Sequence, residues 1–288
     1  MTELVRVESC CKVYRVGAFG SKRLSAVKNV SFDVGPGEVV SLIGESGSGK
    51  STIGCMVLRL IAISDGTITL DGTDVTGLDA KRYYGDVQGV FQDPFSSYNP
   101  IFKVDRVFGM IRSGYFSGLA GPAWNEKVHA SLASVGLNPR DVLGKYPHQL
   151  SGGQLQRLLI ARALLLDIRY LVADEIISML DASTRIDVLN LLGDLKARGL
   201  GILFITHDLS LGNYISDSTV ILRRGSIVEM GETEKVFGNP QHPYTRMLLA
   251  SVPRLHAKWN GGTRARDLPE TAEVPPLVEI ESGHLAAV

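Results

Sequence analysis

Gly44-Glu-Ser-Gly-Ser-Gly-Lys50-Ser51 is the stretch that decides how this chain folds. The apolar run Val39-Val-Ser-Leu-Ile43 precedes it, and Thr52-Ile-Gly-Cys-Met-Val-Leu-Arg-Leu-Ile61, a mostly apolar helical pattern, follows. A strand, a glycine-rich loop and a helix therefore stand in the order a phosphate loop needs. Glycines let the backbone amides turn inward, and those amides, with the helix amino terminus, would cradle a β-phosphate. Lys50 would reach the β and γ oxygens, and the Ser51 hydroxyl would bind Mg²⁺. A glycine-rich turn without a ligand is the bland alternative, and the full pattern in this setting outweighs it.

Downstream, Tyr170-Leu-Val-Ala-Asp174-Glu175 is an apolar strand ending in two carboxylates. Asp174 would emerge at the carboxyl edge of a sheet beside the metal, and Glu175 would point at the γ-phosphate and polarise water. Leu150-Ser151-Gly152-Gly153-Gln154 lies just before a helical run from Leu155. Its two glycines, serine and helix start form a second anion-binding feature or a plain helix start. Periodicity alone leaves both open.

Around these motifs, strand and helix alternate: a helix through Ala163, the Tyr170 strand, a helix over about Ser183 to Ala197, and the buried strand Gly201-Ile-Leu-Phe-Ile-Thr206. That alternation argues for a parallel α/β sheet. Upstream, Leu4 to Ser9 and Ala26 to Val34 alternate as strands, and Gly66-Thr-Ile-Thr-Leu-Asp-Gly72 is a short strand ending in an Asp-Gly turn. Between about Asp93 and Gln149 the composition shifts to Ser, Tyr, Asn, Pro and Gly and then to an amphipathic helix around Trp124 to Val135, which reads as an inserted helical subdomain. Proline recurs at 240, 243, 253, 269, 275 and 276, so the final twenty-odd residues are expected to be a loosely ordered tail.

Thirty Lys plus Arg balance thirty Asp plus Glu, which gives no global drive toward nucleic acid. The three cysteines, Cys10, Cys11 and Cys55, form neither a disulfide framework nor a paired metal site and point to a reducing compartment. The most apolar segment, Leu155 to Ala173, is interrupted by Arg157, Arg162, Asp167 and Arg169, and the amino terminus lacks a secretory pattern. The chain is expected neither to span a membrane nor to be secreted on its own.

Taken together, these motifs resemble the nucleotide-binding subunits of ATP-binding cassette (ABC) transporters, whose signature is Leu-Ser-Gly-Gly-Gln. The resemblance covers about residues 4 to 255, with residues 256–288 left as a carboxy-terminal tail. It implies an α/β fold: a P-loop NTPase ABC cassette with a parallel-sheet core, an amino-terminal antiparallel β subdomain and an inserted α-helical subdomain over about 93–149. It also implies ATP and Mg²⁺ as ligands. Gly44, Glu45, Ser46, Gly47, Ser48, Gly49, Lys50, Ser51 and Thr52 would surround the nucleotide. Ser151, Gly152, Gly153 and Gln154 would cap ATP held by a second cassette closed head to tail on the first. Tyr14 looks like the aromatic that stacks on adenine. Gln92 resembles the residue linking Mg²⁺ and attacking water to the helical subdomain. Asp181 looks like the aspartate of the loop joining the two sites, and His207 is similar to the switch histidine that contacts the γ-phosphate. Catalysis would fall to Glu175, His207 and Gln92, and metal binding to Ser51, Gln92 and Asp174.

The sequence departs from the family pattern after Glu175, where Ile176 and Ile177 occupy the stretch that usually holds a proline and a small or β-branched residue, and Met179 stands where a small residue is common. No group with a direct chemical role is lost, although without the proline the turn is less constrained. Phe91-Gln92-Asp93-Pro94-Phe95-Ser96-Ser97-Tyr98-Asn99-Pro100 and His242-Pro243-Tyr244-Thr245-Arg246-Met247-Leu248-Leu249 resemble the oligopeptide, dipeptide and nickel uptake branch. Many members of that branch carry several cysteines after the His-Pro-Tyr segment, in some cases associated with an iron–sulfur cluster; none follows Cys55 here, so no cluster is expected. The resemblance implies two transmembrane permease subunits, a second cassette that is a paralogue or another copy, an extracytoplasmic solute-binding protein acting indirectly, and a peripheral place at the cytoplasmic face of the inner membrane. Peptide is the expected solute. The alternatives are an oligosaccharide importer of the same branch and a regulatory cassette that binds ATP without hydrolysing it. A DNA-repair or translation cassette would be expected to show a coiled-coil insertion or a second cassette, and these 288 residues carry the pattern of neither.

Overall fold

The computed structural model describes residues 4–17, 22–251 and 274–288. The chain divides into two compact units, Met1–Gly77 with Gly201–Val288, and Leu78–Leu200. In chain order, the first unit opens with β1 (Val5–Val16), β2 (Lys22–Val34), β3 (Val39–Ile43), α1 (Lys50–Val57), β4 (Asp65–Leu70) and β5 (Thr73–Asp74). The second unit follows with α2 (Ala80–Asp86), β6 (Val87–Val90), α3 (Asp105–Tyr115), α4 (Gly121–Ser134), α5 (Pro139–Val142), α6 (Gly152–Leu164), β7 (Tyr170–Asp174) and α7 (Ala182–Ala197). The chain then returns to the first unit with β8 (Gly201–Thr206), α8 (Leu209–Ile215), β9 (Ser218–Arg223), β10 (Ser226–Glu232), α9 (Thr233–Gly238), α10 (Pro243–Ala250), β11 (Val278–Glu281) and β12 (His284–Ala286).

Two sheets build the first unit. One is antiparallel, in the order β2-β1-β4-β5; the alternating amino-terminal segments supply its strands, and their antiparallel pairing is what the family resemblance implies. The other runs β11-β12-β10-β9-β3-β8. In it β3 pairs in parallel with both β8 and β9, while β10 and the terminal hairpin extend the sheet antiparallel. All five residues of β3 and all six of β8 are buried, the mark of strands covered on both faces. Ser41, buried in β3, is satisfied by the Thr219 hydroxyl at 2.8 Å, which in turn lies 2.9 Å from that of Thr233. The turns at Asp71-Gly72 and Arg224-Gly225 each join two antiparallel strands through two positive-φ residues, which match the strand twist.

In the second unit β6 and β7 pair in parallel, and α4 is pinned to α6 by the buried Ser131 hydroxyl, which donates to the Ala161 carbonyl at 2.6 Å. The Trp124 helix and the run after Leu150 form where their periodicity places them. None of the described helices is long and apolar enough to cross a membrane.

Two expectations change. The apolar pattern after the phosphate loop extends to Ile61, but α1 stops at Val57, and Arg59 with φ 55° turns the chain out of the helix. The expected loose tail is also corrected where the structure describes it. β11 and β12 form a hairpin on β10, pairing Glu229 with Ala286 and Gly231 with His284. Ala286 and His284 are buried, so this short segment gains backbone pairing and burial that proline content alone does not reveal. The part of that tail before residue 274 lies outside the described residues.

Candidate functional site

The phosphate loop takes its shape from places where a side chain cannot go. A Cβ on Gly44 would stand 2.2 Å from the Leu222 carbonyl oxygen, and one on Gly49 2.5 Å from that of Ala26. Gly49 also has φ 106° and Gly47 φ 79°, conformations that L side chains rarely adopt. The loop is braced by backbone bonds: Ser48 N–H donates to the Glu45 carbonyl at 3.1 Å, and Gly225 N–H to that of Ser48 at 2.8 Å. Lys50, at the first turn of α1, is only 4% exposed, and its ammonium donates to the carbonyls of Gly44 at 2.7 Å and Glu45 at 2.9 Å. Its charge is thus held against the loop at the helix amino terminus, where anions are favoured. Ser51 is exposed and Thr52 half-buried beside it.

Register places the next residues. Ile43 pairs with Thr206 across β3 and β8, so Gly44 and His207 leave neighbouring strands at the same carboxyl edge, where ligands of open α/β sheets bind. His207 is exposed, and Asp208 after it caps α8, accepting the Ser210 N–H at 2.9 Å. Tyr14 lies in β1, half-buried, with the Lys12 ammonium 5.2 Å from its ring centroid. These residues belong to the first unit.

The second unit holds the others. Val90 pairs with Ala173 across β6 and β7, so Gln92 and Glu175 follow those strands at matching positions. Asp174 ends β7 and is buried, 8% exposed. Glu175 has φ 50°, a strained conformation for a side-chain-bearing residue, and its carbonyl accepts both the Ser178 N–H at 3.1 Å and the Ser178 hydroxyl at 2.9 Å. The turn that lacks the family's proline is therefore tied by Ser178. Ile176 and Ile177 are buried, whereas Met179 is exposed.

Ser151 caps α6 reciprocally with Gln154: the serine Oγ accepts the Gln154 N–H at 3.2 Å, and Gln154 Oε1 accepts the Ser151 N–H at 2.9 Å. A Cβ on Gly153 would meet Thr184 Cγ2 at 2.5 Å, so the signature lies against the start of α7. Asp181 caps that helix. Its carboxylate accepts from the Ser183 hydroxyl, the Thr184 N–H and the Thr184 hydroxyl, and these bonds hold its carboxyl well below the usual carboxylate range.

Glu45, Ser46, Gly47 and Ser48 also line a cleft of about 200 Å³ with Arg223, Arg224 and Tyr244. Arg223 and Arg224 belong to none of the motifs. Tyr244 belongs to the His-Pro-Tyr segment, which the sequence identifies only as a mark of the branch, and 199 positions separate it from Glu45. No periodicity brings residues so distant together.

The first unit suits a nucleotide's phosphates: a glycine loop with no room for a Cβ at Gly44 or Gly49, a buried ammonium and a helix start. Among the described residues no group of three or more His, Cys, Asp or Glu could hold a metal by itself. Hydroxyl and carboxylate oxygens, completed by phosphate oxygens and water, are the donors Mg²⁺ uses, and the Ser51 hydroxyl and the Asp174 carboxylate are each of that kind.

Comparison with known proteins agrees with this chemistry. The family described as ABC transporter matches residues 27–178, and the one described as oligopeptide/dipeptide transporter, C-terminal region, matches residues 228–276. A protein of Brucella ovis with the provisional name of peptide import ATP-binding protein is 44% identical over 257 residues, spanning 88% of this chain and 79% of that protein. The glutathione import ATP-binding protein GsiA of Salmonella typhi is 44% identical over 246 residues, 83% of this chain and 39% of that longer protein. The dimeric post-hydrolysis structure of the ATP-binding cassette MJ0796, bound to ADP and Pi, superposes with a TM-score of 0.71 at 27% identity, over 80% of this chain and 98% of that one.

Proposed function

This chain belongs to the ABC transporter family and is an ATP-hydrolysing import subunit of its peptide branch; on that premise we propose that it works with Mg²⁺ as one of two cassettes driving a pair of membrane permease subunits from their cytoplasmic side. The observation that carries the reading is the phosphate loop, with Lys50 buried against its carbonyls between a fully buried strand and a helix start.

Lys50 and the loop amides bind the β and γ oxygens of ATP, and Tyr14 stacks on the adenine. Ser51, Gln92 and Asp174 would hold Mg²⁺, which when bound neutralises phosphate charge. Glu175 orients and polarises the attacking water, and His207 contacts the γ-phosphate. Positioning and electrostatics supply the rate, as in other phosphoryl transfers. Ser151 to Gln154 cap the nucleotide of the second cassette, so ATP brings the two together and hydrolysis lets them part. Asp181 joins the two sites. The solute reaches the permease through an extracytoplasmic binding protein, and the peptide and glutathione import names of the relatives favour peptide over oligosaccharide.

The test is affinity purification of the tagged chain from detergent-solubilised native membranes, with mass spectrometry of what accompanies it. Two polytopic subunits and a second cassette are expected. Recovery of soluble partners alone would overturn the transport reading.

A further inference from the structure

The peptide between Gly44 and Glu45 and the one after it have to be held still, because Lys50 reads its position from their carbonyls. The Glu45 carbonyl takes the Lys50 ammonium at 2.9 Å. On the other side of the same residue, the Glu45 N–H donates to the phenol oxygen of Tyr244 at 3.2 Å. Tyr244 is 1% exposed and packs with Ile43, the residue that feeds the loop, and with Val228 and Leu248. Burial pushes its phenol up to about 12, so it stays neutral across physiological pH.

The helix carrying Tyr244 is itself fixed. Glu229, fully buried in β10, accepts the backbone N–H groups of Gln241 at 2.7 Å and His242 at 3.0 Å, just ahead of α10. The His242 Nδ1 accepts the Tyr244 N–H at 3.1 Å. On its far side, Glu229 lies 2.8 Å from the Nε2 of buried His284 in β12. A chain of polar contacts, buried at Glu229 and His284 and partly buried beyond them, thus runs from the terminal hairpin through the His-Pro-Tyr turn to the phosphate loop.

We infer that Tyr244 is a positioning residue for the phosphate loop, and that the terminal hairpin influences ATP affinity through it by way of His284 and Glu229. The phenol acts through the Glu45 peptide and does not touch the nucleotide. Losing it leaves the Glu45 N–H without its acceptor and frees the carbonyl that places the Lys50 ammonium. This inference rests on the nucleotide-binding reading above.

The experiment is isothermal titration of the purified full chain with ATP and Mg²⁺, because stoichiometry there reports the competent fraction while Kd reports site geometry. Tyr244→Phe keeps the ring in its packing and removes only the hydroxyl. Its Kd for ATP is expected to rise about fivefold at unchanged stoichiometry, the factor that accompanies one neutral hydrogen bond, with faster amide exchange confined to the loop. A Kd equal to wild type, whether or not the stoichiometry falls, would overturn the positioning role. His284→Ala is expected to weaken ATP binding in the wild-type background and to add nothing to Tyr244→Phe; additive effects would overturn the link through Glu229. Wild-type protein that binds no ATP would instead overturn the nucleotide reading itself.

Discussion

Replacing Gly49 by alanine sets two penalties against each other in a way the loop geometry separates. At φ 106° the new side chain meets an unfavourable backbone conformation, worth about 1–2 kcal/mol. Its Cβ would also stand 2.5 Å from the Ala26 carbonyl oxygen, a backbone atom of β2 that cannot swing aside, and overpacking of that kind costs about 1–3 kcal/mol. Gly47 supplies the control, with φ 79° and nothing within 4 Å of a Cβ. Gly47→Ala should therefore show only the backbone cost, and Gly49→Ala about 2–5 kcal/mol in all. Differential scanning calorimetry would read the difference as about 2–10 °C in the transition of the unit that holds the loop. Saturating ATP adds a second reading. At about a hundred times Kd it should stabilise wild type by about 2.7 kcal/mol and Gly49→Ala by much less, because the displaced amides no longer match the phosphates. Equal melting of Gly47→Ala and Gly49→Ala would show that the Ala26 carbonyl imposes no packing cost at Gly49.

Four further substitutions probe the surroundings. Glu229→Ala removes the acceptor shared by Gln241, His242 and His284 and is expected to cost about 3–5 kcal/mol in urea denaturation, with loss of exchange protection in β12. Gly153→Ala should destabilise the second unit by about 1–3 kcal/mol. Thr184→Ser should relieve it, since serine lacks the Cγ2 that lies in the way yet keeps the hydroxyl bonded to Asp181. Burial, reinforced by Arg223 and opposed by Glu229, holds His242 below the ordinary imidazole value. Its contribution is complete above that value and is lost as pH falls beneath it, because the unfolded chain takes up the proton first. His242→Asn, which keeps a side-chain oxygen at the cap position, should flatten the fall in melting temperature as the pH drops below about 6.5.

Much of this was legible in the sequence because the motifs are local. The loop from Gly44 to Ser51 contains its own turn chemistry, and the strands at Val39 and Gly201 reveal themselves by unbroken apolar runs that the buried β3 and β8 reproduce. The alternation of strand and helix implied parallel pairing, and β3 with β8 and β6 with β7 show it. What stayed hidden was long-range. Tyr244 reaches Glu45 across 199 positions, and Glu229 finds His284 across 55. A tail rich in proline and polar residues gives no alternation strong enough to reveal a hairpin whose register is set by an existing sheet edge. Gly153 is a similar case: its sequence context announces a signature, but only the approach of Thr184 explains why no side chain fits there.

ATP-driven uptake is the decisive assay of the transport function. Proteoliposomes holding the purified permease and cassettes, with labelled peptide and the binding protein on one side and ATP with Mg²⁺ on the other, would compare the wild-type chain with Glu175→Gln. The account predicts peptide accumulation only with ATP and wild-type protein, while Glu175→Gln still binds ATP but loses most hydrolysis and accumulation. Accumulation without ATP, or undiminished hydrolysis and uptake by Glu175→Gln, would contradict it.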